Sequence, residues 1–388
     1  MLNAGQERAL RQFKRWMEES PRQVFELSGG PGTGKTFLVR RMIEEIGLDL
    51  SEVLFCTYTG KAAIALRKNG LDGKTIHSTL YKIDVIERLD AKGNPVTDED
   101  GNVIYDFKFI PRRKLDENIK LIVVDEASMV PQEFGKQICR FDLPVLAVGD
   151  LNQLGPIFGK SYFLNHPDVI LTEIMRQEKG SPIVALAQDI LHGKFLKLGK
   201  YDQDGIVTIV NLDRLEEFVD FKEYDAVLCG LNRTRVKWNK WIRKYVYGID
   251  APLPVVGDKM ICRKNNWTRE VKGIPLVNGL SGVIDNIDEE GYKKHSMVID
   301  FLADDLPASF DELKIDTRAL NSTKTKDDID LRSSYNIFDY GYAITGHLAQ
   351  GSQYSSVVVV ADIARFTNAS RWMYTSVTRA VDRLVLAI

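Results

Sequence analysis

The sequence predicts a three-layer α/β fold, because short apolar runs alternate with amphipathic helical patterns along the chain. Two of these runs, Leu121–Asp125 and Val145–Asp150, are almost continuously apolar, which is typical of parallel strands buried on both faces. Two others, Val24–Ser28 and Val53–Thr57, are each followed by a helical pattern. The second of these helices is predicted to end before Gly70, a residue type well suited to close a helix.

The first helix is predicted from a capping pattern near the start of the chain. Asn3 can cap it, and Gln6 follows three residues later, as in a capping box. Leu10, Phe13 and Met17 continue an apolar stripe at helical spacing. Gln6 falls on the same stripe, which is unusual for a glutamine that is merely solvated.

Composition sets broad limits on the function. The chain has 388 residues, of which 44% are hydrophobic, so it is long enough for two or three cores. Its 52 basic and 54 acidic residues give a formal charge of −2, so a nucleic-acid partner must be held along a local groove. Four widely spaced cysteines predict buried, reduced thiols and no zinc site. No apolar run approaches the roughly 18 residues of a membrane span, so we expect a soluble protein without a membrane partner.

Two stretches interrupt the α/β pattern. Between about residues 83 and 113, turn residues precede alternating Tyr105, Phe107 and Phe109, which predicts a β-hairpin inserted into the first domain. Between about residues 252 and 336, short β-like pieces alternate with glycine turns, which predicts a small β-barrel-like insert. A strand, helix and strand pattern then resumes and continues to the end of the chain.

The segment Gly29–Thr36, GGPGTGKT, matches the phosphate-loop pattern G-x-x-x-x-G-K-[ST] in full. Glycines let the backbone curl so that its N–H groups face the phosphates, and the following helix points its positive end at them. Lys35 is expected to reach the outer phosphates and Thr36 to ligate magnesium. The predicted contacts of a nucleotide here are Gly30, Gly32, Thr33, Gly34, Lys35 and Thr36.

The strand Leu121–Asp125 is predicted to end in two adjacent carboxylates. Asp125 can hold the shell of Mg²⁺, and Glu126 can orient and deprotonate the attacking water. A kinase that transfers the phosphoryl group elsewhere does not need the second carboxylate, so its presence favours hydrolysis. A further candidate, Gln153, follows another strand in the segment GDLNQLGP, where it could sense the γ-phosphate.

Three later segments complete a set of motifs: LTEIMRQ at 171–177, TGHLAQGS at 345–352 and YTSVTR at 374–379. Together with the phosphate loop and the paired carboxylates, and in this order, they resemble the superfamily 1 DNA helicases, specifically the RecD-like and Dda-like branch. The motifs cover nearly the whole chain. The resemblance implies an α/β fold of two RecA-like P-loop domains, residues 1–165 and 166–388, with ATP in the cleft between them. The hairpin would then be an insert in the first domain and an SH3-like β-barrel an insert in the second.

The resemblance also implies roles for residues around the nucleotide. Gln6 would recognise adenine, and Lys35, Glu126 and Gln153 would act on the phosphates and the water. Arg176 and Arg379 would be arginine fingers from the second domain, neutralising charge that grows on the transferred phosphoryl group. An isolated arginine would more simply form a surface salt bridge.

Two departures from the family pattern lie in the 345–353 segment. Leu348 stands where the family usually has lysine, so one backbone contact or local charge is expected to be absent. Gln353 stands where glutamate is common after Gly351, and it is still expected to hydrogen-bond a ribose, without charge. Neither change removes a catalytic group.

Residues that resemble the family's strand-binding segments lie in both halves of the chain. Hydroxyls, a helix N-terminus and scattered basic residues suit phosphate contacts without base readout. His77 could instead be a satisfied core histidine, and Tyr58 could simply pack. The implied DNA contacts are Thr57, Thr59, Lys61, Thr75, His77, Thr345 and His347.

The sequence thus favours an ATP-dependent DNA helicase that tracks along single-stranded DNA, by resemblance 5′ to 3′, in the cytoplasm of a bacterium or a phage-infected host. The expected cofactors are ATP and Mg²⁺, and the expected partners are single strands and single/double-strand junctions. Single-strand-binding protein and replisome or recombination factors are further candidates, and a monomer is favoured. Two alternatives stay open: a translocase that strips bound protein without unwinding, and a nucleotide-switched DNA-binding subunit of a recombination complex.

Overall fold

The fold is described from a computed structural model of the chain. The described residues are 2–19, 22–97, 101, 103–156, 159–174, 180–293, 295–304, 306, 308–323, 335–363 and 366–388. They form two compact units. The first contains residues 1–80, 113–230 and 346–388, and the second contains residues 81–112 and 231–345.

The helices and strands follow one another in a regular order. Up to residue 149 they are α1 (Ala4–Glu19), β1 (Val24–Gly29), α2 (Lys35–Glu45), β2 (Val53–Thr57), α3 (Gly60–Lys68), β3 (Gly73–Thr75), α4 (Ile76–Leu80), β4 (Tyr81–Glu87), β5 (Tyr105–Pro111), β6 (Leu121–Asp125), α5 (Gln132–Cys139) and β7 (Val145–Gly149). From residue 169 to 246 they are β8 (Val169–Leu171), α6 (Pro182–Leu191), β9 (Gly199–Lys200), β10 (Val207–Val210), α7 (Leu215–Phe218), β11 (Ala226–Cys229), α8 (Asn232–Trp241) and a π-helical turn (Ile242–Val246). The remainder are β12 (Lys259–Cys262), β13 (Asn266–Val271), β14 (Ile274–Leu276), β15 (Ser281–Lys293), β16 (Ser296–Ala303), β17 (Ser309–Asp316), β18 (Phe338–Tyr340), β19 (Ala343–Thr345), β20 (Tyr354–Val360), α9 (Ala369–Val377) and β21 (Ala380–Ala387).

The first unit contains a parallel sheet in the strand order β3-β2-β6-β7-β1-β8. Strand β7 is buried along its whole length and β6 over its first four residues, as their continuous apolar runs predict. Because β6, β7 and β1 are neighbours, the loops that follow them meet at the carboxyl edge of the sheet. Strand β8 pairs with β1, so this sheet extends past the expected domain boundary at residue 165.

Helix α1 closes one side of this sheet and has the predicted cap. The Gln6 backbone N–H donates to Asn3 Oδ1 over 2.7 Å, and the Asn3 N–H donates to Gln6 Oε1 over 3.3 Å. The apolar stripe ends in a three-ring cluster, in which Phe13 and Trp16 pack on Phe25 of β1 with centroids 5.7 and 5.5 Å apart. Gln6 shares this buried face and is fully buried.

A second α/β sheet belongs to the same unit. Its strands lie in the order β11-β20-β21-β10-β9, parallel except for the edge strand β9. Strand β20 is buried over its last five residues. Helix α9, which carries the late YTSVTR segment, packs on α6 and on β20 and β21. Its buried side chains include Trp372, Tyr374 and Thr375.

The second unit is built from antiparallel strands. Five of them lie in the order β17-β16-β15-β12-β18, and β13 pairs with β14. Strands β4 and β5 pair antiparallel from Tyr81 opposite Pro111 to Glu87 opposite Tyr105, within the segment for which the sequence predicts a hairpin. The expected domains and the two units therefore differ. Both α/β sheets fall in one unit, and both predicted inserts fall in the other.

Most of the cysteines are buried. Cys56, Cys229 and Cys262 are buried free thiols, as predicted, whereas Cys139 is only partly buried. Burial raises the pKa of Cys56 to about 12, and the charge of Asp125 adds to the effect. No helix of the described residues is long and apolar enough to cross a lipid bilayer.

Candidate active site

The phosphate loop joins the buried strand β1 directly to the N-terminus of α2, which begins at Lys35. Gly32 and Gly34 have φ angles of 73° and 78°, in the left-handed region that favours glycine. Gly29 has no room for a side chain, since a Cβ there would lie 2.6 Å from Thr33 Oγ1. The loop therefore needs glycine where the motif has it, and a glycine loop at a helix N-terminus is suited to hold phosphate.

Lys35 lies inside this loop. Its Nζ donates to the carbonyl oxygens of Gly29 and Gly30 over 2.7 and 3.1 Å. The Thr33 hydroxyl also donates to the Gly30 carbonyl, over 2.8 Å. The side chain of Thr36, the next residue of α2, is exposed. The one cation of the loop is thus held where a phosphate chain would pass.

Gln6 is brought to the same loop by α1. Its Nε2 donates to the Thr33 carbonyl oxygen over 3.1 Å. The capping bond to Asn3 occupies Oε1, so both ends of the amide have partners. Burial and this contact explain why a glutamine stands on the apolar stripe: it ties the start of α1 to the phosphate loop.

The paired carboxylates stand at the end of β6. Burial and, to a smaller extent, the charge of Glu126 raise the pKa of Asp125 to about 6, while a bond from the Glu126 backbone N–H and the charge of Lys35 oppose the rise. Lys35 is therefore close enough to act on the carboxylate. Glu126 has φ 50° and ψ 40°, a left-handed conformation that a glutamate seldom adopts. Strain of this kind in a non-glycine residue clusters at functional sites.

The loop Asp150–Leu154 follows β7 and carries Gln153. The Gln153 side chain is 4% exposed, and its Nε2 lies 3.5 Å from Asp150 Oδ2. Its Oε1 is buried and has no hydrogen-bond partner among the described residues. A buried amide oxygen without a partner is costly, so the group is suited to accept a bond from a ligand or a water.

Helix α9 brings Arg379 toward this loop. The Arg379 guanidinium is 4% exposed and donates to the carbonyl oxygens of Thr375 and Ser352 over 2.9 and 3.1 Å. The Tyr374 hydroxyl donates to Asp150 Oδ2 over 2.7 Å. Burial raises the pKa of Tyr374, as does Asp150, while the positive charge of Arg379 opposes the rise. The arginine therefore lies near a hydroxyl that contacts the Gln153 loop.

The remaining predicted nucleotide contacts are spread more widely. Arg176 lies outside the described residues. Gly351 has φ 79°, and a Cβ there would lie 3.0 Å from Ala62 Cβ and 3.1 Å from Thr59 Oγ1, so this glycine is packed against the start of α3. Gln353 is exposed.

Three predicted DNA contacts lie at the end of β2 and the start of α3. Thr57 is fully buried, and its hydroxyl has no partner among the described residues. The Thr59 hydroxyl caps α3 by accepting from the Ala62 N–H over 3.2 Å. Lys61 is 9% exposed, and its Nζ bonds the Tyr354 hydroxyl over 3.3 Å. Lys61 therefore already has a protein partner.

Thr75 and His77 lie near the start of α4. The Thr75 hydroxyl donates to Ser78 Oγ over 3.1 Å. His77 is half-buried, and its ring centroid lies 4.6 Å from Phe134 and 6.2 Å from Tyr58. The histidine thus belongs to a partly exposed ring cluster.

The last two predicted DNA contacts lie at the end of β19 and two residues after it, and they fall in different units. Thr345 belongs to the second unit and His347 to the first. Burial lowers the pKa of His347, so the neutral ring is favoured at physiological pH.

Several residues with direct contacts at this site are absent from the predicted set. They are Ser28, Asp150, Tyr374 and Thr375. The last three lie inside the quoted motifs, yet only the pairing of the loop with α9 reveals their contacts. A usable signal was available, because Thr375 is a polar residue three positions after Trp372, on the same face of the helix.

The residues present fit a nucleoside triphosphate with Mg²⁺. The glycine loop with Lys35 suits a phosphate chain, and the orphaned Gln153 Oε1 suits a water beside it. The hydroxyl of Thr36 and the carboxylate of Asp125 are the oxygen donors that Mg²⁺ prefers. The geometry of the loop and the chemistry of the oxygen donors are therefore both compatible with a nucleoside triphosphate and Mg²⁺.

Comparison with protein families gives two matches. Residues 1–212, more than half of the chain, match a family described as an AAA domain. Residues 340–387 match a family described as the UvrD-like helicase C-terminal domain. The two matches cover the phosphate loop, the paired carboxylates and the late arginine.

Individual relatives point the same way. The chain is 27% identical over 390 residues to the ATP-dependent RecD2 DNA helicase of Deinococcus radiodurans, covering 93% of this chain but only 46% of that protein. It is 23% identical to the ATP-dependent DNA helicase Pif1 of Campylobacter jejuni, covering 93% of this chain and 88% of that one. The crystal structure of Pif1 from Bacteroides with ADP-AlF3 and ssDNA aligns over all of this chain and 92% of that one, with a TM-score of 0.57 and 15% identity. The last likeness shows the fold, a two-domain RecA-like architecture.

Proposed function

Because the chain belongs to the RecD/Pif1-like helicases of superfamily 1, we propose that it is an ATP-dependent DNA helicase that moves 5′ to 3′ along single-stranded DNA. One observation supports this most directly. Lys35, the Asp125–Glu126 pair and Gln153 converge at the carboxyl edge of one parallel sheet. The helix that precedes Arg379 is hydrogen-bonded to the loop that carries Gln153.

Each group has a task in phosphate hydrolysis that its position supports. Lys35 and the loop N–H groups bind the phosphates, and Gln6 positions the loop against α1. Glu126 takes a proton from the attacking water, which Gln153 orients through its free Oε1. Arg379 neutralises charge on the transferred phosphoryl group, an effect worth about 10³–10⁵ in rate in related NTPases. Arg176 is proposed for the same task.

Magnesium would be held by the Thr36 hydroxyl and by Asp125, and it would supply a Lewis acid at the outer phosphates. The raised pKa of Asp125 is the expected property of a buried carboxylate whose normal partner is a cation. Gly351 and Gln353 are proposed to lie near the ribose.

Single-stranded DNA is proposed to run along the first unit. The Thr59 hydroxyl accepts a backbone bond and keeps its proton to donate to a phosphate oxygen. The cluster of Tyr58, His77 and Phe134 offers ring surface to a base. Thr57, Lys61, Thr75 and His347 complete the proposed set in the first unit, and Thr345 is a further proposed contact in the second.

The paired strands β4 and β5 are proposed to separate duplex DNA. Tyr105, Phe107 and Phe109 on β5 are 46%, 38% and 46% exposed, so they present apolar rings to solvent. An exposed ring can stack on the last base pair of a duplex. The neighbouring five-stranded antiparallel sheet is proposed to be an SH3-like barrel.

The test is unwinding of duplexes that carry either a 5′ or a 3′ single-stranded tail, with and without ATP. We expect ATP-dependent unwinding of the 5′-tailed substrate and none with Lys35→Ala. Unwinding of the 3′-tailed substrate alone would overturn the polarity. DNA-stimulated ATPase without unwinding of either substrate would indicate a translocase, and ATP binding without turnover would indicate a switch.

A further inference from the structure

The loop Asp150–Leu154 is held on both of its sides. On the side of the first sheet, the Leu151 N–H donates to Ser28 Oγ over 3.1 Å. Ser28 is the residue before the phosphate loop and is 1% exposed. The loop that carries Gln153 is thus anchored to the strand that carries the phosphate loop.

On the other side, helix α9 and the segment before β20 hold the same loop. The Tyr374 hydroxyl donates to Asp150 Oδ2 over 2.7 Å, and the Leu154 N–H donates to Thr375 Oγ1 over 2.9 Å. Gln350 Nε2 donates to the Leu154 carbonyl oxygen over 3.1 Å. All of these side chains are buried, so the bonds are shielded from water.

Thr375 also holds the late arginine. Its hydroxyl accepts from the Leu154 N–H, while its carbonyl oxygen accepts from Arg379 Nε over 2.9 Å. One buried residue therefore fixes the Gln153 loop and the Arg379 guanidinium at the same time. Its neighbour Tyr374 reaches the phosphate loop, since a Cβ on Gly30 would lie 3.2 Å from the Tyr374 hydroxyl oxygen.

We propose that Tyr374 and Thr375 are positioning residues that set Gln153 and Arg379 together. This inference rests on the proposed ATP hydrolysis and adds how the two sheets align the groups that perform it. Movement of α9 displaces the arginine and, through the Leu154 and Asp150 bonds, also displaces the glutamine. The attacking water and the arginine finger are then aligned in one conformation and misaligned in another.

The chemistry explains why hydroxyls are used at these positions. A side-chain hydroxyl can accept from a backbone N–H, while the backbone carbonyl oxygen of the same residue remains available to accept from the arginine. Without the Thr375 hydroxyl, the Leu154 N–H would be buried without a partner. A misplacement of about 1 Å in a group that orients a reactant lowers turnover by about 10²-fold.

The experiment compares Thr375→Val with Thr375→Ser by steady-state ATPase in saturating single-stranded DNA. Valine keeps the shape and removes the hydroxyl, and serine keeps the hydroxyl. We expect Thr375→Val to lower kcat about tenfold or more with little change in the KM for ATP, and Thr375→Ser to restore most of the loss.

A double-mutant cycle with Gln153→Ala tests whether Thr375 acts through the glutamine. We expect Thr375→Val to change kcat by less than about twofold once Gln153 is alanine. An equal loss of kcat in both backgrounds would overturn the proposal, as would parent kcat in Thr375→Val itself. The parent and Lys35→Ala are measured in the same series. No turnover in the parent would refute the proposed function and the inference with it, whereas normal parent turnover with an additive cycle would refute the inference alone.

A second measurement reports on the position of the Gln153 loop independently of ATP turnover. Hydrogen exchange of the peptide spanning residues 150–156 should become faster in Thr375→Val and stay near the parent rate in Thr375→Ser. Tyr374→Phe should also lower kcat and speed exchange there. The matched control is Tyr340→Phe, since Tyr340 is likewise 1% exposed but its hydroxyl has no partner among the described residues. Equal exchange in Thr375→Val and the parent would contradict the proposal even if both proteins are equally stable.

Discussion

The two units differ in what surrounds their buried polar groups. In the first unit, the buried Gln153 Oε1 and the hydroxyls of Thr57 and Ser352 have no hydrogen-bond partner among the described residues. In the second unit, Asn321 Oδ1 and the Tyr340 hydroxyl are also buried without a hydrogen-bond partner among the described residues, but two buried arginines bond carboxylates. Arg235 bonds Asp339, and Arg243 forms three bonds from Nε and Nη2 to Asp258 within 2.9–3.1 Å.

The surroundings of these buried groups indicate which unit contains the candidate catalytic site. A buried polar atom without a partner costs free energy, and proteins retain such atoms where a ligand supplies the missing bond. A buried ion pair that is fully bonded mainly fixes a conformation, as Asp258 does by also accepting from the Tyr342 hydroxyl over 2.7 Å. Because the loop that carries the unbonded Gln153 Oε1 is hydrogen-bonded to Ser28, next to the phosphate loop, the first unit is the candidate catalytic unit. The second is a scaffold that carries the proposed DNA-splitting strands.

The largest effect is expected from Lys35→Ala. Removing the one cation inside the phosphate loop should abolish ATP turnover, which a coupled ATPase assay measures. Arg41→Ala is the matched control, because it removes a cation of the same helix that makes only exposed ion pairs. Turnover near the parent rate in Lys35→Ala would place the chemistry elsewhere and contradict the assignment of catalysis to the first unit.

Arg379→Ala should come next. We expect kcat to fall by about 10³–10⁵, with ATP binding mostly retained, because the arginine acts on charge that develops during the reaction. Nucleotide binding is measured with a fluorescent ATP analogue, and turnover by ATPase assay. Arg383→Ala is the control, since Arg383 is half exposed and pairs with Glu223 on the surface. A large loss of binding with kcat unchanged would contradict the role.

In the scaffold unit, Asp258→Ala should affect stability and not chemistry. It leaves the guanidinium of Arg243 buried without its carboxylate, so we expect about 3–5 kcal/mol less stability in denaturant unfolding. Asp250→Ala removes an exposed partner of Lys244 and should change stability by less than about 0.5 kcal/mol. Equal effects of the two substitutions would show that the buried pair is not structural.

The sequence predicted the first sheet well for a physical reason. Runs such as 53–57 and 121–125 are buried on both faces and admit one interpretation, and both strands have the predicted bounds. The capping box of Asn3 and Gln6 is likewise local and was recognisable. The contact of Gln6 with Thr33 joins residues 27 positions apart, so it needed the fold.

The parts that escaped prediction depend on long-range pairing. The strand at 169–171 has only three residues, so its place beside β1 has no strong local signal. The bonds from Tyr374 and Thr375 to the Gln153 loop join residues more than 200 positions apart. The motifs identify the segments that come together, but only the structure identifies the atoms that form the hydrogen bonds between them.

The smallest effect on stability and ATPase is expected from the double substitution Tyr105→Ala and Phe107→Ala. Both rings are substantially exposed, so stability should change by about 0.5 kcal/mol or less for each. DNA-stimulated ATPase should persist while unwinding of a tailed duplex falls. Loss of folding would show that the rings support the hairpin, and full unwinding would remove them from strand separation.

The most direct test of the central claim is a crystal structure of the protein with a non-hydrolysable ATP analogue, Mg²⁺ and an oligonucleotide. We predict that Arg379 keeps its Nε bond to the Thr375 carbonyl oxygen, leaves the Ser352 carbonyl oxygen and donates from Nη1 to a terminal phosphate oxygen at about 2.7–2.9 Å. Gln153 Oε1 should then face the water beside that phosphate. An arginine whose Nη1 stays on the Ser352 carbonyl oxygen while the analogue fills the phosphate loop would contradict hydrolysis by groups from both sheets.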